Sequence, residues 1–200
     1  MKLNNFIYLH GGDAYNPHDE EALLKDVEID TIVFDAPYTA RDYKETTAFF
    51  RQVFGIAERL QPERVIFWGN WAVYPVQFLT ALQGDYLLSH QFLWGGDWRE
   101  GSPDEFKCEL IGCYSKVADG YCQTRFIGGR YKDVERRFHP EEKPVPVIEE
   151  VLRGVGAKIV YDPFAGSGAT LKACETLGIK GYGMEVDPGH FANLHARLTE

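Results

Sequence analysis

The ten residues Tyr161-Asp162-Pro163-Phe164-Ala165-Gly166-Ser167-Gly168-Ala169-Thr170 limit the possible fold more than any other part of the chain. The apolar run Lys158-Ile159-Val160-Tyr161 leads into them, and Leu171, Cys174 and Leu177 follow at helical spacing before Gly178. This pattern predicts a strand, a glycine turn and a helix. Gly166 and Gly168 permit the tight bend and, having no Cβ, let a ligand lie against the turn and the helix N-terminus. A second strand over residues 181–186 carries Glu185, nineteen residues beyond Gly166, where an acid can hold ribose hydroxyls. Together these features point to an adenosine-type ligand. A dinucleotide fingerprint would need glycine at Leu171, and a phosphate-binding loop would need Gly-Lys-Ser/Thr, which appears nowhere; pyrophosphate is therefore disfavoured. A lone G-x-G is shared with ordinary strand-to-helix turns.

The rest of the chain alternates short apolar runs with helical patterns. Residues 6–9 read as a buried strand ended by the turn His10-Gly11-Gly12-Asp13, and residues 16–27 as an acidic helix. Ile32-Val33-Phe34 is continuously apolar, as in a parallel strand covered on both faces. Asp35-Ala36-Pro37-Tyr38 should then lie at the carboxyl edge of the sheet, where open α/β sheets place ligands. Phe49, Phe50, Val53, Ile56, Ala57 and Leu60 predict a helix, residues 65–68 a strand, and Val76, Phe78, Leu79 and Leu82 a further helix. Residues 87–94 and 107–116 read as a hairpin with a long connection carrying Trp98, Arg99, Ser102 and Pro103. Residues 145–152 predict a helix, and Asp187-Pro188 caps a last one with Phe191, Leu194 and Leu198 on its apolar face. The expected class is α/β: a mostly parallel sheet with helices on both faces and an antiparallel hairpin at one edge.

Two hundred residues, 44% of them hydrophobic, suit a single domain spanning residues 1–200. There is no run of eighteen apolar residues, and no signal-type apolar core follows Met1-Lys2-Leu3-Asn4-Asn5. A soluble, cytoplasmic protein is the expectation. The four cysteines do not form a disulfide framework, and Cys108 and Cys113, five apart, fall on opposite faces of one strand. No metal site is expected. A net charge of -9 argues against broad attraction to a polyanion. The charge is uneven, however: residues 117–139 carry Arg125, Arg130, Lys132, Arg136 and Arg137 against Asp119, Asp133 and Glu135, giving +2 there and -11 elsewhere. That segment is either a solvated face or a phosphate-facing one.

Several words in the chain resemble those of the S-adenosylmethionine (SAM)-dependent DNA amino-methyltransferases. Asp162-Pro163-Phe164-Ala165-Gly166-Ser167-Gly168 is similar to their SAM loop, and Asp35-Ala36-Pro37-Tyr38 to their catalytic Asp-Pro-Pro-Tyr. His139-Pro140-Glu141-Glu142-Lys143-Pro144 resembles their His-Pro-x-x-Lys-Pro stretch. The order, with the tetrapeptide at 35–38 first and the loop at 161–170 last, is that of the permuted β group. The resemblance implies a Rossmann-like methyltransferase fold, SAM as cofactor, and a DNA substrate whose target base flips into the site. A homodimer is the assembly expected from the family. The implied cofactor residues are Asp13, Lys143, Pro144, Asp162, Phe164, Gly166, Ser167, Gly168 and Glu185, with Asp13 toward the adenine and Lys143-Pro144 toward the methionine end. Asp13 has a second reading, a turn-capping aspartate. The catalytic set is Asp35, Ala36, Pro37 and Tyr38. The family's target-recognition region is reduced here to residues 117–137, with Arg125, Arg130, Lys132 and Arg136 facing DNA, which implies a short or relaxed target or a reader supplied by a second subunit. The chain departs from the family at Ala36, at Gly95-Gly96 where a lysine is usual, and in the second hairpin pair, of which only Glu109 remains.

The lone pair of an exocyclic amine is delocalised into its base, so transfer to it needs acceptors that orient the nitrogen and stabilise the developing charge. Asp35 and the main-chain carbonyl of Ala36 can each take an amine hydrogen, and Tyr38 offers a stacking face. Methylation at cytosine carbon 5 would need a nucleophilic cysteine, usually after proline, and no Pro-Cys pair occurs. The preferred reading is adenine N6. Cytosine N4 or an RNA base is the alternative within the same chemistry, and a degenerate SAM or nucleic-acid binder is the alternative from another class.

Overall fold

The computed structural model describes residues 1–35, 43–68, 86–95, 108–116, 122–127 and 142–199. The helix expected around residues 76–82, the connection between the hairpin strands, and residues 36–38 of the tetrapeptide lie outside these. The described strands are β1 (Ile7–Gly11), β2 (Thr31–Phe34), β3 (Arg64–Trp68), β4 (Leu87–Gly95), β5 (Cys108–Ser115), β6 (Gln123–Ile127), β7 (Ile159–Asp162) and β8 (Lys180–Glu185). The helices are α1 (Pro17–Leu24), α2 (Tyr43–Leu60), α3 (Val145–Val155), α4 (Ala169–Leu177) and α5 (Pro188–Thr199).

All eight strands join one sheet in the order β1-β8-β7-β2-β3-β5-β4-β6. Strand β5 runs against both of its neighbours, and every other pairing is parallel. The expected hairpin is β4 with β5, Phe92 facing Ile111 across it. Beyond the hairpin, β6 pairs parallel to β4 at the sheet edge and comes from the segment read as basic, for which no strand was expected.

Alternation along the strands divides the core into two layers, as the pleat requires. Ile32, Phe34, Val65 and Phe67 face α1 and α2, where they meet Phe50, Val53, Phe54 and Ile56. Val33, Ile66, Trp68 and Val160 face the other way, toward Ile148, Val151 and Leu152 of α3 and Leu171 and Cys174 of α4. Burying each such side chain contributes about 1.5 to 3 kcal/mol, so both helical layers are firmly seated. On β8, Gly181 and Gly183 leave room for α4: a Cβ at Gly183 would stand 2.5 Å from Leu171 Cδ1.

This topology creates the cleft. From β7 the chain crosses through α4 to β8 on one side, and from β2 through α2 to β3 on the other. The switch in direction therefore falls between β7 and β2. Their ladder runs only through Thr31 with Val160 and Ile32 with Tyr161, so the strands part toward their carboxyl ends, where such sheets bind ligands.

Candidate active site at the strand switch point

A cavity of about 540 Å³ opens over the carboxyl ends of β1, β2, β7 and β8, within the size range of small-molecule sites. Each wall follows from a local sequence feature. Asp162 ends β7, and its carboxylate accepts the Phe164 amide at 3.0 Å, which starts the turn. Gly166 and Gly168 both take positive φ, +50° and +81°, the conformation for which glycine is suited. Gly168 then caps α4, and Ala169 and Thr170 of its first turn line the cavity.

Glu185, at the end of β8, is the hub of this side of the cavity. One carboxylate oxygen accepts the Gly166 amide at 2.8 Å and the other accepts the Asp187 amide at 2.8 Å. A carboxylate offers about four acceptor positions, so both oxygens keep capacity for hydroxyls. Its main-chain carbonyl accepts the Gly12 amide at 3.1 Å, which ties the loop after β1 to the same hub. In that loop Asp13 accepts the Tyr15 amide at 2.9 Å, the turn-capping geometry, and it also lines the cavity. Arg59 grips Glu20 through two nitrogens at 3.1 Å and donates to the Ala14 carbonyl at 3.3 Å, fixing the loop from α2. The Tyr15 ring lies 5.6 Å from that of Phe164, making an aromatic wall.

On the opposite wall, Asp35 follows β2 directly. Lys143 places its Nζ 3.8 Å from Asp35 Oδ1. Glu142, beside Lys143, contacts Arg197 of α5 at 2.6 Å; this is a charge contact without hydrogen-bond alignment at that carboxylate oxygen. Asp162 is enclosed, and burial pushes its carboxyl up to about 7, helped by the nearby Asp35 and Glu185 charges and opposed by hydrogen bonds from Thr170 and Phe164. Asp187 is held below the usual carboxylate range, first by the His190 amide it accepts.

The cavity thus brings together Asp13, Asp35, Lys143, Asp162, Phe164, Gly166, Ser167 and Glu185 of the expected site. Pro144 stands behind it as the residue before α3, and Gly168 packs against Leu194. Arg125 does not join it: it is exposed on β6, with its guanidinium beside Gly154 near the far end of α3. Ala36, Pro37, Tyr38, Arg130, Lys132 and Arg136 lie outside the described residues. Tyr15, Trp68, Glu142, Thr170, Asp187 and His190 line the cavity without having been expected there. Glu142 lies inside the His-Pro-x-x-Lys-Pro word at one of its unassigned positions and Asp187 stands two residues beyond Glu185, and only that proximity could have signalled them.

The lining is markedly acidic. Asp13, Asp35, Glu142, Asp162, Glu185 and Asp187 stand against Lys143 as the one Lys or Arg among the described lining residues. Such a site repels phosphates and suits a neutral or cationic ligand. Among the described residues no cluster of His, Cys, Asp and Glu could hold a metal ion, and no helix is long and apolar enough to cross a membrane.

The N6/N4 methyltransferase family model, described as DNA methylase, matches residues 116–195. That span holds Lys143, the glycine turn and Glu185, and leaves Asp35 outside. A search of curated protein sequences finds no match. Among solved structures, M1.HpyAVI in complex with SAM is similar with a TM-score of 0.70 at 18% identity, over 98% of this chain and 100% of that one. The PvuII DNA methyltransferase, cytosine-N4-specific, gives 0.69 at 17% identity over 99% and 88%. A putative DNA modification methylase from Thermus thermophilus, TTHA0409, gives 0.62 at 21% identity over 95% and 93%. The chain therefore has the fold of SAM-dependent methyltransferases, with the sheet carried through to its hairpin end.

Proposed function

We propose that this chain, methyltransferase in fold and matching the DNA methylase pattern over residues 116–195, transfers the methyl group of SAM to the exocyclic amine of a DNA base, most readily adenine N6. The observation that carries the reading is the acidic cavity at the strand switch point. The residues present fit SAM. Carboxylates of the lining would favour its sulfonium cation, Glu185 with its open acceptor positions would hold the ribose hydroxyls, and Phe164, Tyr15 and Asp13 would take the adenine. When bound, SAM supplies an activated methyl group. The protein's part is to orient the acceptor nitrogen and keep charge where transfer develops it.

In this reading Asp35 accepts one hydrogen of the target amine, the Ala36 carbonyl accepts the other, and Tyr38 stacks on the flipped base. Lys143 balances the Asp35 carboxylate until the amine approaches. Asp-led tetrapeptides favour adenine in the resembled family, whose cytosine-acting members often carry serine there. Cytosine N4 is the second reading, favoured by the likeness to the PvuII enzyme. Arg130, Lys132 and Arg136 would hold the DNA phosphates, with the protein acting as a homodimer if the family's assembly is kept.

The test is nucleoside mass spectrometry of DNA methylated by the purified chain, with Asp35→Ala beside it. N6-methyladenine is expected, together with nearly unchanged SAM affinity and a transfer rate lowered about 100-fold or more in the variant. N4-methylcytosine alone would replace the base assignment and keep the mechanism. Full activity in Asp35→Ala would sink the mechanism, and SAM binding without any methylated base would leave a binding protein.

A further inference from the structure

Arg197 reaches from α5 into the cavity wall and touches two separate segments with one nitrogen. Its Nη1 lies 2.6 Å from Glu142 Oε1 and donates to the Ser167 carbonyl at 2.9 Å. Both side chains are withdrawn from water, Arg197 to 10% and Glu142 to 1% exposure. Glu142 immediately precedes Lys143, the partner of Asp35. Ser167 stands between Gly166, whose amide Glu185 holds, and Gly168. The same helix presses on Gly168: a Cβ there would lie 2.2 Å from Leu194 Cδ1 and 3.8 Å from Leu198 Cδ1.

A buried ion pair is a weak source of stability, because the loss of hydration offsets most of the attraction and two apolar side chains can fill the same space. An apolar pair could not, however, hold a loop carbonyl and a carboxylate at a fixed separation. We propose that Arg197 is a positioning residue that sets the spacing between the glycine turn and the Lys143 segment, keeping the cofactor end and the Asp35 end of the cavity in register. It rests on the methyl-transfer reading of this cavity and adds a residue that touches neither ligand. Arg197 acts through Ser167 and Glu142, so its loss disturbs two functions at once. Cofactor affinity depends on the turn, and the rate of transfer depends on where the cofactor stands relative to Asp35.

The experiment compares the parent, Arg197→Lys, and the double variant Arg197→Met with Glu142→Leu, which removes both charges and leaves neither buried alone. Amide hydrogen exchange of the ligand-free proteins is read at residues 166–169, with β7 as the internal reference. SAM affinity is measured by calorimetry, and single-turnover transfer is measured at saturating SAM and DNA. In the double variant, exchange at the turn should quicken and SAM affinity fall about 10-fold each, the scale of a lost hydrogen bond to a charged group. Transfer at saturation should fall at least as far, as expected for misplaced reactants, while β7 stays protected. Arg197→Lys should recover part of the affinity and less of the rate, since one ammonium does not reproduce the spacing of a planar guanidinium. A folded double variant with parental exchange, affinity and rate would overturn the proposal, and so would an Arg197→Lys protein indistinguishable from the parent. A parent that neither binds SAM nor methylates DNA would defeat the functional reading alone, because the exchange measurement needs neither ligand.

Discussion

Asp162 lies under the glycine turn with its carboxylate enclosed, accepting the Phe164 amide and leaning on Thr170. Burial first, and the neighbouring Asp35 and Glu185 second, push its carboxyl up to about 7, whereas an aspartate in an unfolded chain titrates near about 4. Between those values the folded protein holds a proton that the unfolded chain has released. The contribution of this group to stability is therefore complete below about pH 4 and is lost as pH rises through about 7. Asp162→Asn removes the titration and keeps the shape. Urea unfolding at pH 5 and pH 8 should show the parent losing ground to the variant at the higher pH; an equal difference at both would mean the carboxyl is not held protonated. At the same scale, the residues of the glycine-turn wall of the cavity were legible in the sequence because they sit in one short word with Glu185 a fixed distance beyond it. Glu142 and Arg197 were not, since nothing in local spacing marks two charges that meet only when α5 packs against the sheet.

At the scale of elements, strands and helices followed from period and punctuation wherever a face was buried. The four consecutive buried residues of β2 and the helical stripe of α2 are of that kind. Strand β6 escaped because four of its five residues are exposed, so neither alternation nor an apolar run distinguished it from a basic loop. The turn between β7 and α4 depends on glycine for two separate reasons, its left-handed backbone and the approach of Leu194. Gly168→Ala should therefore lower the unfolding free energy by about 1 to 3 kcal/mol. Denaturant unfolding measures this, and Leu194→Ala in the same chain should relieve part of it by making room. Independent costs that simply added would show that the backbone, not the packing of α5, sets the penalty.

At the scale of the whole molecule the charge distribution opposes nucleic acid except along the segment around residues 117–139. Arg125, expected there as a DNA contact, is exposed on β6 with its guanidinium beside Gly154. Replacing Arg130, Lys132 and Arg136 together by Gln should weaken DNA binding and reduce its salt dependence by roughly one unit of slope for each phosphate no longer neutralised. Arg125→Gln should leave the slope near the parental value. Binding measured across a series of salt concentrations decides the matter, and a slope unmoved by the triple change would send DNA to another face.

The sheet's middle is assembled from opposite regions of the chain, since β2 takes β7 as its neighbour and β1 takes β8, joining residue 32 to 161 and residue 7 to 181. During synthesis the earlier strands therefore leave the ribosome with an open flank. The apolar side chains of Ile7, Leu9 and Val33, which pack with residues beyond 144, wait without those partners until the later part of the chain emerges. Pairings so distant along the chain close slowly, and unpaired strands in that interval invite association with other nascent chains. The arrangement that puts the ligand cleft at the centre of the sheet thus leaves the centre to be built last, and it makes the late-emerging β7 and β8 the step that commits the chain to its native form.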